Sequence, residues 1–325
     1  IEIEKTGGLT CRVWLRPDLS RGEELIKNGL TMGLHPQTKK TSPWLRYGAL
    51  KGYIDGIMGT HGALFFEPYD DRKDNVGHYR RHTSDDPDFS TGNMDKMYSL
   101  IKTGYDAGFV SNVHAIGTKG VSLMLDTYER LMTDLGRNLD GFRVIHAQVI
   151  RPQDFSRFKQ LNVIAEVNPY HISDDMRWME ERIGHERCKG AYAFQSLLEN
   201  GATLSNNGRL TVSGGAFRVK SGATAIGNGE YFLSGNFLVD GTFNAGSSST
   251  VTMEGTGNHT IGNTTLNLNN LVISKPADNF VRINSNVSVA NALTMSSGGL
   301  VINDALTCPE LFLTPVNVSD LTNNG

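Results

Sequence analysis

The feature that most constrains this sequence is a break near Ser205, where one kind of chain gives way to another. Ahead of it, short apolar segments alternate with amphipathic ones. Beyond it, 12 charged residues are spread over 120 positions, and Gly, Asn, Ser and Thr make up nearly half of the residues. All three Trp, and every His except His259, lie before the break. No single periodic pattern accommodates both parts. The 325 residues are therefore expected to form two domains, 1–205 and 206–325.

In the first part the strand candidates are 10–15, 45–54, 109–114, 142–146 and 163–167. They are short, apolar and partly β-branched, as strands covered on both faces are. Helical patterns occupy 21–28, 94–107, 120–135, 152–161, 174–183 and 191–199. Pro152 suits a first helical turn, and Ser173 is placed to cap a helix that begins at Asp174. Strand followed by helix, repeated, predicts an α/β fold with a parallel sheet or barrel. A complete eight-unit barrel takes ~250 residues, more than precede the break, so the expectation is a partial TIM-type (β/α) barrel.

The second part carries alternating segments of three or four residues, such as 210–212, 217–219, 231–233, 237–239 and 281–283, punctuated by Gly and Asn. Short strands with tight turns predict an all-β, solenoid-like C-terminal domain in which coils stack on one another. A β-sandwich is the alternative.

Several functions are excluded at this level. A net charge of −3 and a pI near 6.3 leave no cationic excess for nucleic acid. No run of ~18 apolar residues exists to form a membrane span. Cys11, Cys188 and Cys308 are far apart and form neither a disulfide framework nor a metal ribbon. A sequence that begins at Ile1 is expected to be a fragment or a processed piece.

Three residues suited to chemistry fall at or near strand ends. His114 closes FVSNVH, His146 closes FRVIH, and Lys51 lies in LKGYIDG four residues ahead of Asp55. The C-terminal face of a parallel barrel is where its loops converge, and imidazole is a good ligand for zinc and similar divalent ions. Either His alone is more readily explained by a backbone carbonyl partner; for Lys51 a stem lying along apolar surface is the lesser alternative. Two strand-end His on successive strands favour a shared metal.

The ordered segments KGYIDGIMGTHGALFFEPY, VHAIG, RVIHAQVI and NPYHISDDMRWMEERIG resemble the amidohydrolase superfamily. The likeness is greatest to its metal-dependent hydrolase branch that includes N-substituted formamide deformylases, and it runs from about residue 9 to 204. The resemblance implies hydrolysis of C–N bonds other than peptide bonds, in an amide, formamide or cyclic amide, by one or two divalent ions, zinc above all. It makes Lys51 the candidate for a carboxylated, metal-bridging lysine and His114 and His146 the paired ligands, with Asp55 and Gly56 shaping the adjoining loop. His171, in PYHISDD, becomes a candidate to face substrate. A divalent metal brings the pKa of bound water from ~15.7 to ~7, while an unmodified lysine, protonated up to ~10.4, is a poor ligand.

The sequence also departs from that pattern. No HxH pair occurs anywhere, Thr118 stands where relatives carry an acid, and the final aspartate of the family never arrives. Weak or absent hydrolysis is the expectation for this chain. His61 reads as a loop histidine, and His78, Arg80, Arg81 and His82 as a solvated loop. Cys188 lacks the neighbours of a nucleophile. The second part resembles adhesin-like bacterial β-solenoid proteins in composition, over about 206–303. The rival expectation is accordingly a secreted or surface structural protein, and a third is an artificial join of two fragments. The first part points to the cytoplasm and the second to secretion. The expected partner is a small amide-like substrate.

Overall fold

The computed structural model describes residues 1–80, 94–213, 215–314 and 318–323. Packing separates two compact units, Ile1–Ile164 with Met179–Ala191, and Ala165–Trp178 with Tyr192–Gly325. The spatial division is thus interleaved and does not fall at the change in composition. Gln195 shows why. In the helix Phe194–Glu199, its Nε2 donates to the Arg218 carbonyl and its Oε1 accepts from the Arg218 N–H, each at 3.4 Å. Residues that read as barrel are held by the first Gly/Asn-rich strands.

In the first unit, β1 (Val13–Leu15) pairs in parallel with β2 (Leu45–Tyr47). A second parallel set comprises β3 (Leu50–Tyr53), β4 (Ser111–Ala115) and β5 (Arg143–His146). The strand expected over 45–54 is two strands, β2 paired with β1 and β3 paired with β4, divided at Gly48 and Ala49. Every residue of β4 is buried, as befits a strand paired on both edges. Helix Met94–Asp106 lies on this sheet: a Cβ at Gly104 would stand 2.5 Å from Leu50 Cδ1. Helix Thr118–Leu135 follows β4 and buries Val121, Met124, Leu125, Tyr128 and Leu131 at helical spacing. Pro152 does open a helical turn, Pro152–Asp154, which leads into Phe155–Gln160.

The helix expected over 174–183 is instead two pieces, Ile172–Asp175 and Met179–Cys188. Ser173 caps neither; its hydroxyl donates to the Tyr170 carbonyl at 2.7 Å.

The second unit is built from three ladders of parallel strands. One runs Thr203–Asn206, Thr224–Gly227, Thr242–Ala245; another Arg209–Val212, Glu230–Leu233, Thr250–Glu254. The third runs Ala216–Val219, Asn236–Val239, His259–Gly262, Phe280–Ile283. Within these three ladders no strand pairs with its neighbour in sequence; Tyr231, for example, lies between Leu210 and Val251. The alternating apolar residues turn inward and stack. Phe237 meets Phe217 with ring centroids 5.8 Å apart and Phe243 at 5.0 Å. The pairings described are parallel, which an antiparallel sandwich cannot supply.

Phe237 is fully buried within that column. Phe237→Ala is expected to destabilise the second unit by about 3–5 kcal/mol, read as a lower urea midpoint for its transition. An unchanged midpoint would show that the stacked rings do not hold the coils together.

Candidate metal centre

Parity along β3 decides which side chains can meet. Leu50 points to helix Met94–Asp106, so Lys51 and Tyr53 project from the other face of the strand. Lys51 pairs with Asn112 and Tyr53 with His114, which puts these four on one face. Tyr53 and His114 rings lie 5.5 Å apart. Lys51 Nζ sits 4.1 Å from the centre of the Tyr53 ring and donates to the Gly52 carbonyl at 3.3 Å. The Arg80 guanidinium stacks on the same ring at 4.2 Å.

His146 falls on the wrong parity, since it pairs with Ala115 rather than with His114. The backbone corrects this. His146 has φ 74° and Ala147 φ 44°, a left-handed pair that ends β5 and redirects the imidazole. The two rings then meet edge to face, with centroids 4.6 Å apart. Left-handed backbone at non-glycine residues is stored where surrounding structure demands it.

Asp55 fixes the other ring. It is fully buried, and its carboxylate accepts the N–H groups of Leu64 at 2.9 Å, Ile116 at 3.1 Å and Gly117 at 2.8 Å. Gly117 precedes helix Thr118–Leu135, and the Leu64 carbonyl accepts the first-turn Lys119 and Gly120 N–H groups at 3.0 and 3.1 Å, so the loop that Asp55 holds at Leu64 N–H is the one that caps the helix. Gly120 makes room, as a Cβ there would stand 2.7 Å from Asp55 Oδ2. Burial pushes the Asp55 carboxyl up to about 7, while the three amide donors favour its ionised form. His114 Nε2 lies 3.4 Å from Asp55 Oδ1 and 3.3 Å from the Gly56 carbonyl. A proton held on Nε2 by those oxygens leaves Nδ1 as the basic nitrogen of the ring.

Two imidazoles this close fit one divalent ion, for which Zn–N distances are ~2.0–2.1 Å. Among the described residues, no group of three His, Cys, Asp or Glu converges as a metal-holding cluster. The donor set is therefore two imidazoles with a lysine on the same face, and a lysine serves only once its nitrogen has lost its positive charge.

The other expected residues lie elsewhere. His171 belongs to the second unit, where its Nε2 is 3.0 Å from Asn168 Nδ2. His61, at φ 57°, is knotted between Asp71 at 2.8 Å and Arg182, with its ring against Tyr69. Thr118 starts its helix buried. Cys188 is half-buried, and burial pushes its thiol up, away from nucleophile behaviour. Arg81 and His82 lie outside the described residues. The sequence reading missed Tyr53 and Arg80, which an alternation count from Lys51 could have found in the case of Tyr53. It also missed that Asp55 holds the Leu64, Ile116 and Gly117 amides, a set of partners that only the fold brings together.

A family model described as an amidohydrolase family matches residues 1–207. Protein LONG AFTER FAR-RED 3 of Arabidopsis thaliana is 34% identical over 165 residues, which is 50% of this chain and 26% of that protein. Putative amidohydrolase YtcJ of Bacillus subtilis is 29% identical over 163 residues, 50% of this chain and 28% of its own. An uncharacterized metal-dependent hydrolase from Pyrococcus furiosus superposes with a TM-score of 0.52 at 27% identity, over 63% of this chain and 38% of that one. A second, from Pyrococcus horikoshii, gives 0.51 at 24% identity over 62% and 37%, a likeness of fold alone. The chain spans about a quarter of the length of the curated relatives it matches.

Asp55→Asn turns an amide toward amide donors, and Gly120→Ala intrudes on the same carboxylate. Each is expected to cost about 1–3 kcal/mol and to speed hydrogen exchange at Ile116 and Gly117. Exchange that stays at the parent rate in both variants would refute the hold of the carboxylate on this turn.

Proposed function

Because the chain belongs to the amidohydrolase family, we propose that it is a metal-dependent hydrolase of C–N bonds other than peptide bonds, in an amide, formamide or cyclic amide. The observation that carries this reading is the meeting of His114 and His146 at 4.6 Å, on the face from which Lys51 projects. His114 and His146 would hold the metal, with zinc the best match to imidazole donors. Lys51 would join them after its amine has taken up carbon dioxide as a carbamate, which replaces a cation by two anionic oxygens. The ion, when bound, polarises a carbonyl and activates water.

The chain's own residues do the rest. Asp55 touches no reacting atom in this scheme: committed to three amides, it positions His114. Gly56 offers its carbonyl to the same ring, fixing the orientation of the imidazole. Tyr53 flanks Lys51 and His114, its ring lying under the Lys51 ammonium and beside the imidazole. His171, expected to face substrate, is given no step, because its ring is engaged with Asn168 in the second unit. The sequence contains no HxH pair and no final family aspartate, so protonation of the leaving nitrogen lacks an assigned donor, and slow turnover follows.

A second reading attaches to the other unit. Its parallel ladders favour a β-solenoid, and a structural or adhesin-like role for it. Binding of glycans or cells by protein that carries no metal would support that role over the enzymatic one.

Metal analysis of the purified chain tests the hydrolase reading. Zinc is expected at near one equivalent, to fall in His114→Ala and His146→Ala, and to bind more weakly in Lys51→Ala. Hydrolysis of N-substituted formamides should be slow and follow the zinc content. Metal content unaffected by both histidine variants would overturn the assignment.

A further inference from the structure

Lys275 is the one fully buried cationic side chain among the described residues of the second unit. It follows strand Leu266–Ser274, and its Nζ reaches back to the preceding coil. There it donates to the Glu254 carbonyl at 2.6 Å and lies 2.6 Å from His259 Nδ1. No carboxylate forms an ion pair with it within the described residues. A lysine out of water, held by a carbonyl and an imidazole nitrogen, depends on both acceptors.

We propose that Lys275 and His259 form an acid-sensitive staple between successive coils, closed while the imidazole is neutral and released when it takes a proton. The geometry requires this. Nδ1 accepts from the ammonium only with its lone pair available, and a protonated ring would set two cations 2.6 Å apart. The elements around the pair offer little compensation. Strand Thr250–Glu254 contributes Glu254, whose negative charge favours the ammonium. Strand His259–Gly262 contributes His259 itself. Strand Val287–Ile302 presents Ser297 and Gly298, which carry no charge; the Ser297 carbonyl accepts the Lys275 N–H at 3.1 Å. Gly298 packs so closely that a Cβ there would stand 2.5 Å from Lys275 Cβ, so the stem cannot easily swing aside. Two cavities flank the pair: one of about 490 Å³ beside Lys275, one of about 740 Å³ beside His259. Release of the staple would join them along one corner of the coils.

The sign of the pH effect follows. Burial, and then the Lys275 charge, hold the His259 imidazole below its ordinary 6.5. The unfolded chain therefore binds that proton first, and the stability contributed is present above about pH 6.5 and lost as pH falls below it. Lys275 is likewise lowered, chiefly by burial, against the favouring charge of Glu254.

Hydrogen exchange on the full chain near about pH 7.5 and about pH 5 spans the imidazole transition. Once rates are corrected for intrinsic pH dependence, peptides covering 254–262 and 274–283 should lose protection in acid, about tenfold for each unit by which His259 is depressed. His259→Gln keeps an acceptor that does not titrate, and should hold its protection at both values. Lys275→Met removes the second cation and should flatten the dependence as well. Should either variant fail to fold, the His259 ring titration of the parent protein by NMR decides, with a midpoint below 6.5 expected. A parent midpoint at or above 6.5, or His259→Gln losing protection in acid as the parent does, would overturn the proposal.

Discussion

The buried carboxylate of Asp55 is the contact on which the candidate centre depends. It sits at the end of β3, yet what it binds is the loop at Leu64 and the β4–helix turn at Ile116 and Gly117. One side chain thereby joins three segments that are remote in sequence and stands beside His114. A carboxylate is costly to bury unless its lone pairs are met, and here the amides of Leu64, Ile116 and Gly117 meet them. Removing it would loosen the helix, the loop and the imidazole together.

The second imidazole is placed by a different device. His146 has the wrong parity to face His114 along a regular strand, and a left-handed turn of the backbone at His146 and Ala147 brings it round. The two rings are set by independent means, one by a hydrogen-bonded anion and the other by backbone conformation.

Much of the α/β part was legible because buried strands and amphipathic helices leave periodic traces. The segments at 109–114 and 142–146 became β4 and β5 within a residue or two, and Pro152 marked a real helical turn. What escaped was non-local. One expected strand divides at Gly48 because its two halves find different partners, β1 and β4, and Gly184 at φ 74° lies within the helical stretch that follows the break at 176–178. The composition change near Ser205 was plain, but composition does not report packing: helix Phe194–Glu199 reads as charged α/β text and packs with the second unit. Lys51, His114 and His146 could be singled out by type and strand position. The parity flip at His146 and the amide contacts of Asp55 could not, since both depend on partners brought by the fold.

Zinc affinity in a folded Asp55→Asn protein probes the whole arrangement most directly. A partner that orients a metal-binding histidine from behind is worth ~10–100-fold in affinity. The account predicts a loss of that size, with far-UV circular dichroism retained and with His146 still able to contribute one ligand. Zinc bound as tightly as by the parent chain would mean that the carboxylate does not govern His114, and the proposed centre would lose its foundation.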